Sequence, residues 1–323
     1  MSTTTTGFKV IQPGILTLIQ DAGRFGQHGI GLTTGGPLDP LAFNWANRLC
    51  GNASGTNSSG VSALEVSIGG LVLEAQIETR LCVAGAAMPL KINGEERELW
   101  RSHPVMAGDR IELGFASDGA RAYLAVAGGF DIAPSFGSSA TVTREGIGGI
   151  NGTKLQAGEL LPANPAKRDG CLVLPESYRP EYGKHANLRV IPGYQQHAFS
   201  RLQQRIFFSN DYKVSDRCDR MGFRLEGPEI KPSIDGILSE GICHGAIQVP
   251  ADGQPIVLLN DRQTIGGYPK IGSVLSLDTA ALAQLMPGST VSFEPITMED
   301  AHNIHCLAAS YFERVKAQPC DPQ

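Results

Sequence analysis

Apolar residues along this chain occur mostly in short runs that end at glycine or proline. This pattern predicts many short β-strands joined by turns. Two of the runs, residues 8–14 and 188–193, have β-type composition and both end in Pro-Gly. Residues 104–113, 155–161 and 285–293 each place a glycine turn before an alternating strand. We interpret these recurrences as two related β-domains.

The positions of the two similar runs set the predicted domain organisation. A chain of 323 residues suffices for one large domain or two ordinary ones, and we favour two because a single core rarely grows beyond about 250–300 residues. Residues 161–184 are rich in proline and charge, which is typical of a linker. We predict a first β domain over 8–165, a linker region over 166–187 and a second β domain over 188–315.

Few segments have the period of a helix. The best is 38–49, where Asp39 can cap the first turn and Leu41, Trp45 and Leu49 share a helical period. Two further helices are predicted at 280–285 and 298–317. The expected fold is therefore mainly β with a few short helices.

Charge and composition narrow the range of partners. The net charge is −5, which argues against a nucleic-acid partner because such a partner needs a clustered basic surface. The N-terminus has no basic start followed by an apolar stretch, and no apolar run approaches the roughly 18–20 residues that span a bilayer. We expect a cytoplasmic protein that binds neither nucleic acid nor membrane.

The seven cysteines include no CxxC pair and the histidines have no ligand spacing, so no disulfide framework and no metal site is expected.

The first half contains two polar segments suited to ligand binding. Arg24 lies among glycines that let backbone amides approach a ligand, and it can pair with a carboxylate or phosphate. Asn44 and Asn47 share a helix face, and Glu65 stands alone in a strand-like run where Arg24 is a candidate partner. The alternatives are a tight turn braced by Asp21 and Arg24, and asparagines that only cap and turn the chain.

The second half contains a cationic segment around residues 217–227. If a strand begins at Met221, Arg220 and Arg224 point to the same face and Phe223 to the other. Two guanidinium groups on one face form a good anion site. The alternative is a solvated charged face.

The most informative segment follows a predicted buried strand at 256–259. Its polar side chains combine an acid, amides, a hydroxyl and a cation: Asn260, Asp261, Gln263, Thr264 and Lys270. Polar loops at the end of a rigid strand are where binding sites tend to lie. The alternative is an elaborate structural turn.

Several common catalytic motifs do not occur. The sequence has no GxxxxGK[ST] phosphate loop, no GxGxxG fingerprint and no HExxH or GxSxG motif. Ala87-Met88-Pro89 echoes a biotin-attachment sequence, but Pro89 stands where the acceptor lysine is needed. A nucleotide-hydrolysing loop of that class and a biotinylation site are therefore not predicted.

A set of ordered motifs extends over nearly the whole chain. They are Pro13-Gly14, Gln20 to Gly26, Gly35 to Asp39, Ala46-Asn47, Gly51-Asn52, Leu64-Glu65, Tyr123 to Phe130, Asp219 to Gly222 and Asn260 to Lys270. Together they resemble the biotin-dependent carboxyltransferase family once called allophanate hydrolase subunit 2. The resemblance implies a cyclophilin-like β-barrel architecture in two related halves. Residues 262–265 depart from the family pattern, which more often has a small residue and a second threonine there.

The resemblance also implies an activity. Stand-alone family members resemble one component of ATP-dependent 5-oxoprolinase, which acts with two others, an A subunit and a shorter B subunit, to cleave 5-oxo-L-proline to L-glutamate. ATP, with magnesium shared with the partner subunits, is therefore expected, although its binding residues are not indicated. Longer relatives are fused into urea carboxylase, but this sequence contains no biotin carboxylase or carrier segment, so biotin is not expected.

Within this activity, Lys270 and Arg220 are expected to hold anionic groups, and Asp261 to orient or deprotonate. Asn260, Gln263 and Thr264 would hold the amide. The other residues expected to contact substrate are Tyr268, Gln248, Arg24, Asp39 and Asn47. Two alternatives stay open: a biotin-dependent carboxyltransferase acting on urea or another amide, and a non-catalytic regulatory module.

Overall fold

A computed structural model describes residues 6–52, 61–167, 170–234 and 236–322. The chain forms two compact units: the first comprises Met1–Gly26, Gly35–Glu181 and Lys316–Gln323, and the second comprises Gln27–Thr34 and Tyr182–Val315. The expectation of a mainly β fold with a few short helices is confirmed. Residues 1–5, on which the expectation of no secretory signal partly rests, lie outside the described ranges.

The first unit contains two larger antiparallel sheets and a short two-stranded ribbon. The strands are β1 (Gly7–Pro13), β2 (Leu16–Gln20), β3 (Ala63–Ser67), β4 (Gly69–Ala75), β5 (Thr79–Ala87), β6 (Leu90–Ile92), β7 (Glu95–Arg97), β8 (Ser102–Val105), β9 (Arg110–Phe115), β10 (Asp118–Val126), β11 (Leu160–Pro162), β12 (Leu172–Val173) and β22 (Gln318–Pro319). Their order is β11-β1-β4-β9-β6-β7 in one sheet, β2-β3-β10-β5-β8 in the other and β12-β22 in the ribbon.

The core of this unit lies between its two larger sheets. Phe8 and Leu73 of one sheet belong to the same buried apolar cluster as Leu64, Val83 and Leu124 of the other. Alternate residues of β1 face this core, since a strand turns successive side chains to opposite faces. The strands predicted after the glycine turns are present, but β8 and β9 belong to different sheets and do not form a hairpin.

The predicted first helix is present as α1 (Pro40–Leu49). The Asp39 side chain accepts a hydrogen bond from the Ala42 amide at 3.1 Å, as a helix N-cap does. Phe43, Trp45 and Leu49 are buried. Leu41, which shares the helical period of Trp45 and Leu49, is 43% exposed.

A buried carboxylate joins α1 to the sheet behind it. The Glu65 Oε2 atom accepts hydrogen bonds from the Leu38 amide at 3.0 Å and from the Tyr123 hydroxyl at 2.7 Å. The Tyr123 hydroxyl accepts in turn from the Asp39 amide at 2.8 Å. Burial, the largest cause, raises the pKa of Tyr123 well above its usual value, so the phenol remains protonated and donates to Glu65.

The second unit is built on a closed seven-stranded barrel in the order β13-β20-β17-β18-β15-β14-β21. These strands are β13 (His185–Pro192), β14 (Tyr212–Cys218), β15 (Gly222–Glu226), β17 (Ala246–Gln248), β18 (Ile256–Leu258), β20 (Lys270–Val274) and β21 (Thr290–Pro295). Two short strands, β16 (Glu240–Gly241) and β19 (Ile265–Gly266), form a separate ribbon. β13 and β21 pair in parallel, whereas the other barrel pairs are antiparallel.

Three helices belong to this second unit: α2 (Arg201–Phe208), α3 (Asp278–Gln284) and α4 (Met298–Arg314). The first of them was not predicted; its buried Phe207 stacks on Phe293 of β21 with ring centroids 4.3 Å apart. The other two confirm the predicted helices, and Thr297 caps α4 by accepting from the Asp300 amide. None of the described helices is long and apolar enough to cross a membrane.

Replacing Tyr123 with Phe tests the buried network of the first unit. The change leaves a Glu65 oxygen and the Asp39 amide without this partner, so we expect the free energy of unfolding to fall by about 1–3 kcal/mol. Urea denaturation followed by circular dichroism measures it. The control Tyr178→Phe alters a phenol that is 44% exposed and should stay within about 0.5 kcal/mol; equal losses in the two variants would contradict the network's role.

Candidate functional site

A small cavity lies in the second unit where β20 begins. It has a volume of about 160 Å³, and its lining includes Gly193, Tyr194, Gln195, Glu240, Cys243 and Lys270. This volume is below the roughly 300–1,000 Å³ of pockets that take drug-sized ligands. The cavity therefore suits a small metabolite.

Lys270, predicted as a site residue, lies in this cavity at the first position of β20. The residue is only 8% exposed, and its ammonium group forms an ion pair with Glu240 Oε1. A buried ammonium group needs such a partner, since an isolated charge in the interior is strongly unfavourable.

Gln195 completes the arrangement from the turn that follows β13. The Lys270 amide donates to Gln195 Oε1 at 2.9 Å. This bond fixes the orientation of the side-chain amide, so that Nε2 points the other way and donates to Glu240 Oε1 at 2.9 Å. Nε2 also lies 3.2 Å from the Tyr194 hydroxyl oxygen.

The electrostatics of the cavity centre on Glu240. The hydrogen bond from Lys270, followed by the one from Tyr194, holds the pKa of this carboxyl below its usual value. The bond to Glu240 in turn raises the pKa of Tyr194. At neutral pH the cavity therefore holds an ionised carboxylate that faces an ammonium group, an amide and a phenol.

Glu240 reaches Lys270 because the ribbon of β16 and β19 carries it there. Glu240 pairs with Gly266 and Gly241 with Ile265 in antiparallel register. A Cβ atom on Gly266 would lie 2.7 Å from the Gln248 side-chain nitrogen and 2.5 Å from an Ile242 side-chain carbon. A larger residue at this position would therefore displace the ends of these two side chains.

Arg220 and Asp261, predicted as catalytic residues, form a buried bidentate ion pair. Arg220 Nε and Nη2 donate to the two carboxylate oxygens of Asp261, each at 3.0 Å. The Asp261 amide also donates to the Arg220 carbonyl at 2.9 Å. The pair fixes the start of the 260–270 loop against the turn between β14 and β15.

The two arginines expected on one face have different partners. Arg220 is 5% exposed, whereas Arg224 is half-buried and pairs with Asp252 at 3.1 Å. The predicted anion site formed by both guanidinium groups therefore receives no support from these contacts.

The other predicted residues of the second unit lie along the same loop or strand. Gln248 of β17 is buried and lies opposite Lys270 of β20 in the strand register. Gln263 and Tyr268 are exposed, and Thr264 is half-buried with its carbonyl accepting from the Ile242 amide.

Asn260 hydrogen-bonds to His244, a neighbour that sequence reasoning did not single out. Burial, with a smaller contribution from the nearby positive charge of Arg262, lowers the pKa of His244 to about 4 despite the bond to Asn260. His244 is therefore a neutral imidazole at physiological pH.

The predicted residues of the first unit serve local structure there. Arg24 is fully buried and donates to the carbonyls of Ser135 and Ala140 at 3.0 and 3.1 Å. Asn47 is also fully buried; it donates to the Phe43 carbonyl and accepts from Asn52. Asp39 caps α1.

Sequence reasoning missed Glu240, Gln195 and Tyr194. Tyr194 and Gln195 directly follow the Pro-Gly that marked the second repeat, so that motif was an available signal. Glu240 follows a short segment without periodicity, and no sequence signal distinguishes it from the other glutamates.

Two larger grooves are also present among the described residues. One, of about 720 Å³, includes Met298, His302 and His305 of α4 in a mainly apolar lining, and the other, of about 610 Å³, includes Gln76, Glu78 and Lys167 in the first unit. The small cavity brings the ion pair of Lys270 and Glu240 together with the side-chain amide of Gln195.

The small cavity does not fit a nucleoside triphosphate. Lys270 is the one cation among its described lining residues, and the volume is only about 160 Å³. A triphosphate needs several cationic or amide donors. Within the described ranges, no group of three or more metal-ligating side chains is found.

Comparisons with known proteins show the family of this chain. A profile of the carboxyltransferase domain, subdomains A and B, matches residues 30–295. The chain is 36% identical over 311 residues to the C subunit of 5-oxoprolinase from Escherichia coli (strain K12), covering 95% of this chain and 97% of that protein. It is 35% identical over 302 residues to the C subunit of 5-oxoprolinase from Haemophilus influenzae, covering 92% and 94%.

The fold is also similar to part of a longer protein. The crystal structure of the K. lactis urea amidolyase superposes with a TM-score of 0.88 at 26% sequence identity over 98% of this chain. The chain spans only 20% of that protein.

Replacing Asp261 with Asn tests whether the buried pair supports the fold. The change leaves the Arg220 charge uncompensated, so we expect a loss of about 3–5 kcal/mol in the free energy of unfolding, measured by urea denaturation. The matched control Asp252→Asn breaks the exposed pair with Arg224 and should cost no more than about 1 kcal/mol. A loss as small in Asp261→Asn would refute the structural role.

Proposed function

The chain belongs to the family of carboxyltransferase domains with subdomains A and B, and on that basis we propose that it is one component of an ATP-dependent 5-oxoprolinase. That enzyme opens the lactam ring of 5-oxo-L-proline to give L-glutamate. The near-complete likeness to two proteins named as the C subunit of 5-oxoprolinase supports this proposal. The observation that carries it in the fold is the small cavity with Lys270, Gln195 and Glu240.

The chemistry of the cavity matches the chemistry of the substrate. 5-Oxo-L-proline is a small anion with one carboxylate and one amide, so it needs a cation for the first and hydrogen-bonding groups for the second. Lys270 supplies the cation, and Gln195 supplies an amide whose orientation is fixed by the Lys270 backbone. We assign Lys270 to the carboxylate of the substrate.

The surrounding predicted residues receive supporting roles in this proposal. Arg220 and Asp261 hold the loop that leads to Lys270 and act as positioning residues. Asn260, Gln263, Thr264 and Tyr268 lie along that loop, and Gln248 is adjacent to Lys270 in register. We propose that this loop and strand shape the side of the cavity that contacts the ring.

Opening of the ring breaks the lactam C–N bond and adds one water molecule. The water oxygen becomes part of the new carboxylate, and the ring nitrogen gains a proton and leaves as the amine. Hydrolysis of ATP to ADP and phosphate drives the reaction. Because the cavity does not fit a triphosphate, we propose that ATP is bound by the partner A and B subunits, with any magnesium, and that this chain binds and orients the acid.

A second candidate function is carboxyl transfer to an amide. The likeness to part of a urea amidolyase favours it. In this alternative the cavity binds the acceptor amide, and a separate biotin carrier delivers the carboxyl group. Sensitivity of the activity to avidin distinguishes this alternative from ring opening, because only the biotin-dependent reaction is inhibited.

We expect glutamate release from 5-oxo-L-proline and ATP when this chain is combined with the A and B subunits. The measurement is coupled detection of glutamate, repeated with this chain left out. Turnover that requires the chain supports the proposal. The absence of turnover from the complete mixture would instead favour carboxyl transfer or a regulatory role.

Replacing Lys270 with Ala tests the role of the cation. Removal of a charge that holds the substrate is expected to lower kcat/KM by about 100-fold or more, since a charge-assisted bond contributes about 1.5–3 kcal/mol and the orientation of the substrate is lost with it. The control Lys231→Ala removes an exposed lysine paired with Glu229 and should retain wild-type turnover. Circular dichroism and a thermal melt of each variant separate lost binding from lost folding, and wild-type turnover by Lys270→Ala would exclude the assigned role.

A further inference from the structure

The donors around Glu240 form a carboxylate-binding cradle. The ammonium group of Lys270 and the amide nitrogen of Gln195 both donate to Oε1 of this one carboxylate, and the Tyr194 hydroxyl lies 3.2 Å from the same Gln195 nitrogen. Converging cationic and neutral donors are the arrangement by which proteins bind a carboxylate ligand. Here the carboxylate that fills the arrangement belongs to the chain itself.

The Gln195 side chain and the backbone of Lys270 are held in place independently of Glu240. Gln195 is 7% exposed, and its oxygen accepts from the Lys270 amide. Lys270 lies in a barrel strand that pairs with β13 on one side and β17 on the other. The cradle is therefore expected to persist when the Glu240 side chain is removed.

The ribbon that holds Glu240 is less firmly attached than the residues of the cradle. Its strand, β16, has two residues and pairs only with the equally short β19. The Glu240 side chain is 31% exposed, compared with 10% for the Lys270 side chain. Short, exposed ribbons open at low free-energy cost relative to barrel strands, so the carboxylate can leave while its donors stay.

We propose that the Glu240 carboxylate marks the binding position of the ligand's carboxylate and must be displaced for a carboxylic acid to bind. In this arrangement Glu240 is an internal competitor, and Lys270 and Gln195 are the residues that select a carboxylate. The cavity of about 160 Å³ beside them holds the rest of a small acid. The identification of that acid as 5-oxo-L-proline rests on the proposed function, whereas the carboxylate class rests on the cradle alone.

The competition has a measurable consequence. A ligand that binds only when the cradle is open has its apparent affinity reduced by the fraction of molecules in the open state. Removal of the Glu240 carboxylate should therefore tighten the binding of simple carboxylates, although the same change removes a charge partner of Lys270.

The test measures acetate binding to the full chain and needs no partner subunit. Melting temperatures are recorded over a range of acetate concentrations with chloride replaced at constant ionic strength, and the dissociation constant follows from the shift. We expect the acetate dissociation constant of Glu240→Ala to be at least about tenfold lower than that of the wild type. Glu240→Gln, which retains an uncharged acceptor, should lie between them.

Two controls define the site. Glu229→Ala removes an exposed glutamate of the same unit that pairs with Lys231, and it should bind acetate as the wild type does. In the double variant K270A/E240A the tighter binding of acetate should be lost. Equal dissociation constants in the wild type, Glu240→Gln and Glu240→Ala, or a gain that survives loss of Lys270, would overturn the proposal; if Glu240→Ala does not fold, the comparison of Glu240→Gln with the wild type decides.

Cys243 offers a second readout within the cavity. This thiol is exposed and lies 3.1 Å from the Ser273 hydroxyl. Alkylation by iodoacetate, which carries a carboxylate, is compared with alkylation by neutral iodoacetamide, and the labelled peptides are quantified by mass spectrometry. The ratio of the two rates at Cys243 should rise in Glu240→Ala, while the ratio at Cys306, exposed on α4, should not change; an unchanged ratio at Cys243 counts against the proposal.

Failure of this inference is distinguishable from failure of the proposed function. Acetate binding that depends on Glu240, without glutamate release in the complete mixture, retains the cradle and rejects the 5-oxoprolinase assignment. Glutamate release that requires this chain, with acetate binding indifferent to Glu240, retains the assignment and rejects the internal competitor.

Discussion

Pairing of buried charge is the constraint on which the site in the barrel depends. Lys270 and Arg220 are both less than one-tenth exposed, and a charge in such a place destabilises the fold by several kcal/mol unless a partner compensates for it. Their partners, Glu240 and Asp261, come from other segments of the chain. The need for compensation therefore ties the β16–β19 ribbon and the 260–270 loop to barrel strands.

The two ion pairs differ in what they permit. The pair of Arg220 and Asp261 is bidentate, and both side chains are almost completely buried, so neither group can exchange its partner without a large loss of stability. The pair of Lys270 and Glu240 has a third of the glutamate side chain in solvent and a short ribbon as its support. A fixed pair suits the maintenance of a loop, whereas an exchangeable pair suits the binding of a ligand with the same charge as the departing group.

The first unit uses buried polar groups in another way. Glu65, Tyr123 and the start of α1 form a hydrogen-bonded set behind the helix, and the buried carboxylate of Asp21 accepts from the Ser138 hydroxyl and the Ser139 amide. These groups join loops to sheets within the unit. The residues that the family motifs bring together there thus have a structural explanation in this unit, and a substrate-binding role for Arg24, Asp39 and Asn47 stays a prediction.

The sequence by itself determined the elements whose signals are local. The alternation of the strands, the Asp39 and Thr297 caps and the mainly β character are properties of neighbouring residues, and the ordered motifs were sufficient to indicate the family. Lys270 was also identifiable, because it ends a polar loop that follows a buried strand. Only the tertiary structure decided which carboxylate faces each cation. Pairing of β16 with β19 brings Glu240 to Lys270, and pairing of β15 with β18 brings Asp261 to Arg220. Contacts between side chains so far apart in sequence leave no periodic signal along the chain.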